Sequence, residues 1–149
     1  MFKKIVVATD GSELSLKAAR KGMELAKMFG SKLQVIYVID QRVFFFPHEV
    51  QILAPENPYF KILDELRRNA EAVLDKLEKD AKKIGVEIER FVLEGAVVDE
   101  INRRVDEARA DLLIIGAHGK TGEHRGILGS TAQALAGTAR CSIMIIREK

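Results

Sequence analysis

Residues 111–131 read DLLIIGAHGKTGEHRGILGST. The opening DLLII is a short, fully apolar run, the pattern of a strand buried on both faces. It runs into a glycine-rich loop carrying His118, Lys120, His124 and Arg125, and the loop ends at Gly129-Ser130-Thr131, where a new helix begins. At such a helix start the free N–H groups and the positive end of the dipole make a ready anion site. Gly116 lets the chain turn sharply off the strand and lets a ligand approach the backbone, and Gly119 repeats this one turn later. Two well-known phosphate loops do not fit. In a Walker A loop ending at Gly119-Lys120-Thr121 the first glycine would fall at Ile114, inside the strand. The dinucleotide fingerprint needs a glycine between Gly116 and Gly119, and none is there.

Working outward, KIVVAT (residues 4–9) is a second doubly buried run and predicts a central strand. Asp10, Gly11 and Ser12 break it. Ser12 suits an N-cap, with Glu13 in the first turn, and Leu16, Ala19, Met23 and Ala26 then recur at helical spacing until Gly30. Residues 32–39 predict the second strand. Residues 40–58 hold all three prolines and the run Phe44-Phe45-Phe46, and predict a long, mostly irregular connection. Leu63, Leu66, Ala70, Val73, Leu77, Ala81 and Ile84 mark a long amphipathic helix closed by Gly85. A strand over 86–93, a helix through Val98, Ile101, Val105 and Ala108, the strand 111–115, a helix over about 129–138 and a strand over 142–146 complete a βαβαβαβαβ order. That alternation predicts a parallel sheet with helices on both faces. With strand one central, strands one and four flank the switch point, beyond whose carboxyl ends ligands bind. Asp10 and the glycine loop are therefore expected to meet, the loop amides facing the acid.

Composition agrees with a globular chain: 149 residues, 47% hydrophobic and 31% charged, enough to bury roughly 70% of the unfolded surface as one domain over 1–149. The net charge of +2 argues against nucleic acid as a partner. Asp10 cuts the first apolar run far short of a signal-peptide core, and no stretch approaches a membrane span. The single cysteine, Cys141, has no intrachain partner and reads as a small buried apolar group. A cytoplasmic protein, without nucleic acid or membrane among its partners, is expected.

The spacing Gly116-x2-Gly119-x9-Gly129-Ser130 resembles the nucleotide-binding motif of the universal stress protein (UspA-like) family, in its ATP-binding branch. VATDGSE, YVID and DLLIIGAHGKTG fall in the same order as in that family, so the resemblance covers nearly the whole chain. It implies a doubly wound, Rossmann-like five-stranded parallel sheet of order 3-2-1-4-5. It also implies that Asp10 hydrogen-bonds the ribose hydroxyls, with Ala8 and Thr9 near the base. Val38 would meet adenine through its backbone, and Gly116 would lie against the ribose. Gly119, Gly129, Ser130 and Thr131 would hold the phosphates, with His118 counted beside them. Mg2+, if bound, would be held mainly by phosphate and water, as few carboxylates are at hand. A homodimer through the last strand (residues 142–147) is implied as well. Val97 and Ser142 stand where the family often has proline, and the second change bears on the dimer edge.

Function is thus expected to be ATP binding in a regulatory or stress-response module, with at most slow or partner-dependent hydrolysis. The chain has no evident nucleophile–base pair and no acidic cluster for two metals. Alternatives stay open. The chain could bind no ATP, or prefer AMP, and act as a dimeric interaction protein. An ATP-using transferase or pyrophosphatase would need an H-x-G-H pair or an S-G-G-x-D-S loop, and the place after strand one reads TDGSE. A phosphoacceptor receiver would need an acidic pair there and an Asp where Glu94-Gly95 stands. His118 and His124 lack a third ligand at metal spacing. Phe44, Phe45 and Phe46 either pack on the long helix or, with the rest of residues 40–58, offer a surface to a protein partner.

Overall fold

The computed structural model describes residues 1–44, 58–120 and 127–148. The elements are β1 (Lys4–Thr9), α1 (Glu13–Phe29), β2 (Lys32–Asp40), a 3-10 turn (Gln41–Phe44), α2 (Pro58–Lys83), β3 (Ile88–Gly95), α3 (Val97–Ala108), β4 (Leu112–Gly116), α4 (Ser130–Thr138) and β5 (Ser142–Ile146). The five strands form one parallel sheet in the order β3-β2-β1-β4-β5.

β1 is central because neither of its faces tolerates water. Ile5 and Val7 enter one core with Met23 of α1 and Leu74 and Leu77 of α2. Val6 enters the other with Ile101 and Val105 of α3 and Leu135 of α4. An unbroken apolar run is what two-sided burial requires.

α1 starts where expected: Ser12 Oγ accepts the amide of Ser15 at 3.3 Å. It stops at Gly30, which takes the left-handed conformation (φ 66°) and donates its amide to Ala26. Gly22 lies where α1 presses on β1. A Cβ there would stand 2.5 Å from Val7 Cγ2, so the helix comes this close only without a side chain.

Several boundaries differ from the sequence reading. The third strand begins at Ile88, not at residue 86, because the Val86 amide still bonds to Ala81 O (2.9 Å), closing α2 after a left-handed Gly85 (φ 79°). Ile84 lies beyond the helix and is partly exposed, while Leu74, not counted on the apolar stripe, is fully buried. β4 starts one residue later than predicted. Asp111 is drawn out of the strand by its carboxylate, which accepts the amides of Lys3 (2.9 Å) and Lys4 (3.2 Å). Cys141 precedes β5 and is half-buried, not buried; that burial pushes its thiol up.

The connection after β2 opens as the 3-10 turn, held by Asp40, whose carboxylate takes the Arg42 amide (2.9 Å) and guanidinium. Phe45 and Phe46, with the rest of that connection to residue 57, lie outside the described residues, as do His124 and Arg125. At the β3 edge, Arg90 reaches three carboxylates of α2: Glu71, Asp75 (2.5 Å) and Glu78 (3.0 Å). Among the described residues no helix is long and apolar enough to cross a membrane.

Candidate functional site

The strand pairing opens a crevice at the carboxyl end of the sheet. β1 pairs with β2 as far as Thr9–Tyr37 but with β4 only as far as Val7–Ile114. Ala8 and Thr9 therefore have no β4 partner. Beyond the end of β1, Val38 pairs only with Leu93 of β3. Its side chain is buried in the α3–α4 core. This is the switch point, where neighbouring strands run their helices to opposite faces.

The β1–α1 loop is tied by hydroxyls. Thr9 Oγ1 lies 2.7 Å from Ser15 Oγ, in a buried pair. Ser15 Oγ accepts the Asp10 amide (3.2 Å) and donates to Ser12 O (3.0 Å), while Thr9 Oγ1 accepts the Gly11 amide (3.2 Å). Ser15 was not among the expected site residues. Its signal in the sequence is only a hydroxyl in the first helical turn, which also fits a simple solvated position.

Asp10 stands half-buried at the mouth of the crevice. Its Oδ1 accepts the Ser12 amide (2.9 Å) and its Oδ2 the Lys120 amide (3.1 Å). Burial pushes its carboxyl up, but hydrogen bonds from Ser12, Ser15 and Lys120 outweigh burial and hold it below the ordinary value of 3.8. The acid is therefore ionised at neutral pH and can accept hydroxyl donors.

The glycine loop does meet Asp10, as the topology predicted, but more closely than an open ring of amides would. A Cβ on Gly119 would lie 2.4 Å from Asp10 Oδ2, so the Gly119 backbone is packed directly on the carboxylate. The Lys120 side chain folds over the first loop: Cε and Nζ both come within 3.7 Å of the position a Cβ on Gly11 would take. Gly116 packs on the first turn of α1, where a Cβ would meet Leu14 C and Ser15 N at 3.3 Å.

At the far end of the loop, Gly129 is the N-cap of α4 and supplies no side-chain cap. Its own amide is spent on Ala117 O (2.7 Å), so Gly129 contributes space and no donor. A Cβ on it would come within 3.2 Å of His118 Cα. Among the described residues nothing bonds the amides of Ser130, Thr131 and Ala132, or the hydroxyls of the first two, at the positive end of the helix. His118 lies between the two glycine segments, but its Nε2 faces Glu148 Oε1 at 3.3 Å. Its imidazole is thus engaged by the C-terminal segment, and its backbone is what borders Gly129.

A cavity of about 230 Å³ lies at the opposite, amino end of the strands, lined by residues including Lys4, Lys32, Gln34, Glu89, Arg104 and Glu107. Arg104 there stacks on Phe91 (3.9 Å) and bonds Gln34 and Glu107. Its cations and anions largely offset each other, so no ligand chemistry is singled out. Among the described residues no three His, Cys, Asp or Glu side chains gather as a metal site.

The fold and the crevice define a doubly wound, Rossmann-like α/β protein with a crevice at the β1–β4 switch point. The family model described as "Universal stress protein family" matches residues 1–147, and the chain belongs to that family. A universal stress protein of Methanocaldococcus jannaschii is 34% identical over 149 residues, covering 99% of this chain and 84% of the relative. Universal stress protein UspA from Lactobacillus plantarum superposes with a TM-score of 0.86 at 21% identity, over 97% of both chains. A universal stress protein from Archaeoglobus fulgidus, solved in complex with dAMP, superposes with a TM-score of 0.71 at 22% identity, again over 97% of both chains.

Proposed function

We propose that residues 1–149 form one nucleotide-binding domain that takes an adenine nucleotide, ATP with Mg2+, across the β1–β4 crevice, as a regulatory or stress-response module of the cytoplasm. The observation that carries this reading is the start of α4, which takes no side-chain cap among the described residues, on the far side of the loop from an ionised Asp10. A diol can donate to a carboxylate, whereas an anionic phosphate chain is repelled by one and suits the amides of a helix start. One ligand with a sugar at one end and phosphates at the other satisfies both.

In this reading Asp10 accepts the ribose hydroxyls, and Ala8, Thr9 and the backbone of Val38 border the base. Gly116, packed on α1, lies against the sugar through its backbone. Gly119 and Gly129 admit the phosphates, and the amides and hydroxyls of Ser130 and Thr131 hold them. His118 borders the phosphates through its backbone. Mg2+ would be held by phosphate oxygens and water, since no protein carboxylate cluster faces the helix start among the described residues. The dAMP complex of the Archaeoglobus fulgidus relative supports an adenine nucleotide and leaves the number of phosphates to experiment. Hydrolysis is slow or partner-dependent, because His118, the loop histidine among the described residues, is turned to Glu148.

The test is calorimetry of purified protein with ATP, ADP and AMP, with and without Mg2+, beside mass spectrometry of ligand released by heat. ATP is expected to bind more tightly than AMP. Absence of binding by every adenine nucleotide would leave the protein an interaction module.

A second observation favours self-association. β5 is an edge strand, and Ile143, Met144, Ile145 and Ile146 along it are only half-buried. An unpaired apolar edge is a site for pairing with another chain. A homodimer through residues 142–147, around a two-fold axis, would cover it.

A further inference from the structure

We propose that Ser15 is a positioning residue of the nucleotide site: with Thr9 it anchors the backbone of Asp10, so that the carboxylate stands as a fixed acceptor for the two sugar hydroxyls and the site discriminates an intact ribose from a deoxygenated one. The proposal rests on the reading of Asp10 as the ribose acceptor and adds the source of its selectivity.

Apart from Tyr37, two polar side chains are buried among the described residues, Thr9 (4% exposed) and Ser15 (5%). Their oxygens are 2.7 Å apart. A hydroxyl taken out of water is costly unless bonded, and alanine is the better helix former at a buried position such as 15. What offsets that cost is the set of bonds the pair makes, and those bonds serve one turn. The Asp10 amide donates to Ser15 Oγ (3.2 Å), the Gly11 amide to Thr9 Oγ1 (3.2 Å) and the Ser12 amide to Asp10 Oδ1 (2.9 Å). Three successive amides thus end on side-chain oxygens, and the buried pair supplies two of the three.

The hydrogens of the pair fall in one order. Ser15 has one hydroxyl hydrogen, which goes to Ser12 O (3.0 Å), a pure acceptor. The Asp10 amide only donates, so the bond between the two hydroxyls runs from Thr9 to Ser15. Ser15 Oγ then accepts twice and donates once, which is its full capacity. Alanine at 15 takes the acceptor from the Asp10 amide and from the Thr9 hydroxyl together. The anchor matters here because strand pairing has run out. Beyond Val7 the first strand has no β4 partner, and its pairing with β2 ends at Thr9. Ser15 instead ties the next residue to the first turn of the 17-residue α1. The Asp10 carboxylate accepts one amide on each oxygen, from Ser12 and Lys120, and keeps further lone pairs for hydroxyl donors. A diol gains most from an acceptor whose orientation is fixed beforehand by the groups around it.

Calorimetry of the full-length protein with Mg2+ compares ATP with dideoxy-ATP, which lacks both sugar hydroxyls. Wild type is expected to bind ATP at least about 10-fold more tightly, as hydrogen bonds to a charged group imply, and Asp10→Ala to bring the two affinities together. Ser15→Ala is expected to reduce the wild-type ratio about 3–10-fold, by weakening ATP and leaving dideoxy-ATP unchanged. Thr9→Val, which removes the other hydroxyl at nearly constant shape, is expected to reduce the ratio as well, and it decides the matter where Ser15→Ala does not fold. Equal weakening of both nucleotides by Ser15→Ala marks a merely structural residue and overturns the proposal. An unchanged ratio in the folded variants overturns it too. In either case a wild-type preference for ATP that depends on Asp10 leaves the functional reading standing. Wild type that binds the two nucleotides equally, or binds neither, overturns the ribose assignment and the proposal with it, as does a preference that survives Asp10→Ala.

Discussion

Asp10 Oδ2 and the Lys120 amide, 110 residues apart in sequence, meet at 3.1 Å across the switch point of the sheet. The bond joins the turn after the first strand to the turn after the fourth. It links the candidate ribose acceptor to the candidate phosphate loop through the backbone, with no lysine charge needed. Asp10 is thereby a structural group as well as the proposed ribose acceptor, which has consequences for pH.

The Asp10 carboxyl is held below its ordinary value in the folded protein. A depressed folded value adds stability that is complete above the unfolded value, about pH 4, and is lost as pH falls through the folded one. Asp10→Asn retains an acceptor for the Ser12 amide but offers Lys120 an NH2 group. It is expected to be about 1.5–3 kcal/mol less stable than wild type at pH 7. Urea unfolding should show that difference shrinking as pH falls below about 4. A gap that stays constant down to pH 2 would mean that the carboxylate is not the stabilising species.

Gly129→Val is expected to abolish ATP binding in calorimetry while leaving the circular dichroism spectrum unchanged. The branched side chain must occupy space within 3.4 Å of His118 and Ala117 at the mouth of α4. Retained tight binding would move the phosphates elsewhere.

Gly22→Ala is expected to destabilise the protein, against helix propensity. The propensity gain is about 1 kcal/mol. The new carbon would stand 2.5 Å from Val7 Cγ2, on a branched side chain with little rotamer freedom in the central strand. Overpacking of this kind costs about 1–3 kcal/mol, so a net loss of up to roughly 2 kcal/mol is expected in urea unfolding. A stabilised variant would show that α1 can lift off β1.

Arg90→Met is expected to lower stability by about 1–2 kcal/mol, and by less in high salt. The guanidinium is mostly covered and meets Glu71, Asp75 and Glu78, which lie on one face of α2. Without it the three carboxylates repel each other along the helix. Equal melting temperatures of variant and wild type at low salt would show the cluster to be neutral.

Met144→Glu and Ile145→Pro are each expected to give monomers in sedimentation. The first puts a charge on the half-buried β5 strand and the second removes an edge N–H. Dimers in both variants would place the interface elsewhere.

Much of this molecule was legible before any coordinates. The doubly apolar runs at β1 and β4, the Ser12 and Gly30 caps and the period of α1–α4 follow from local chemistry: burial on two faces, orphan amides and the left-handed bend. The sheet order followed from that alternation and from the family resemblance, and placing Asp10 near the glycine loop followed from the order. What lay beyond reach were contacts between segments distant in sequence. Nothing local turns His118 toward Glu148 or spends the Gly129 amide on Ala117. The close approach of Gly119 to Asp10 is of the same kind. Sequence alone determined which groups each loop carries, because strand, turn and cap preferences act over a few residues. Only the tertiary structure decided which of those groups are already paired with each other, because that depends on how closely the packed sheet and helices bring separate loops together.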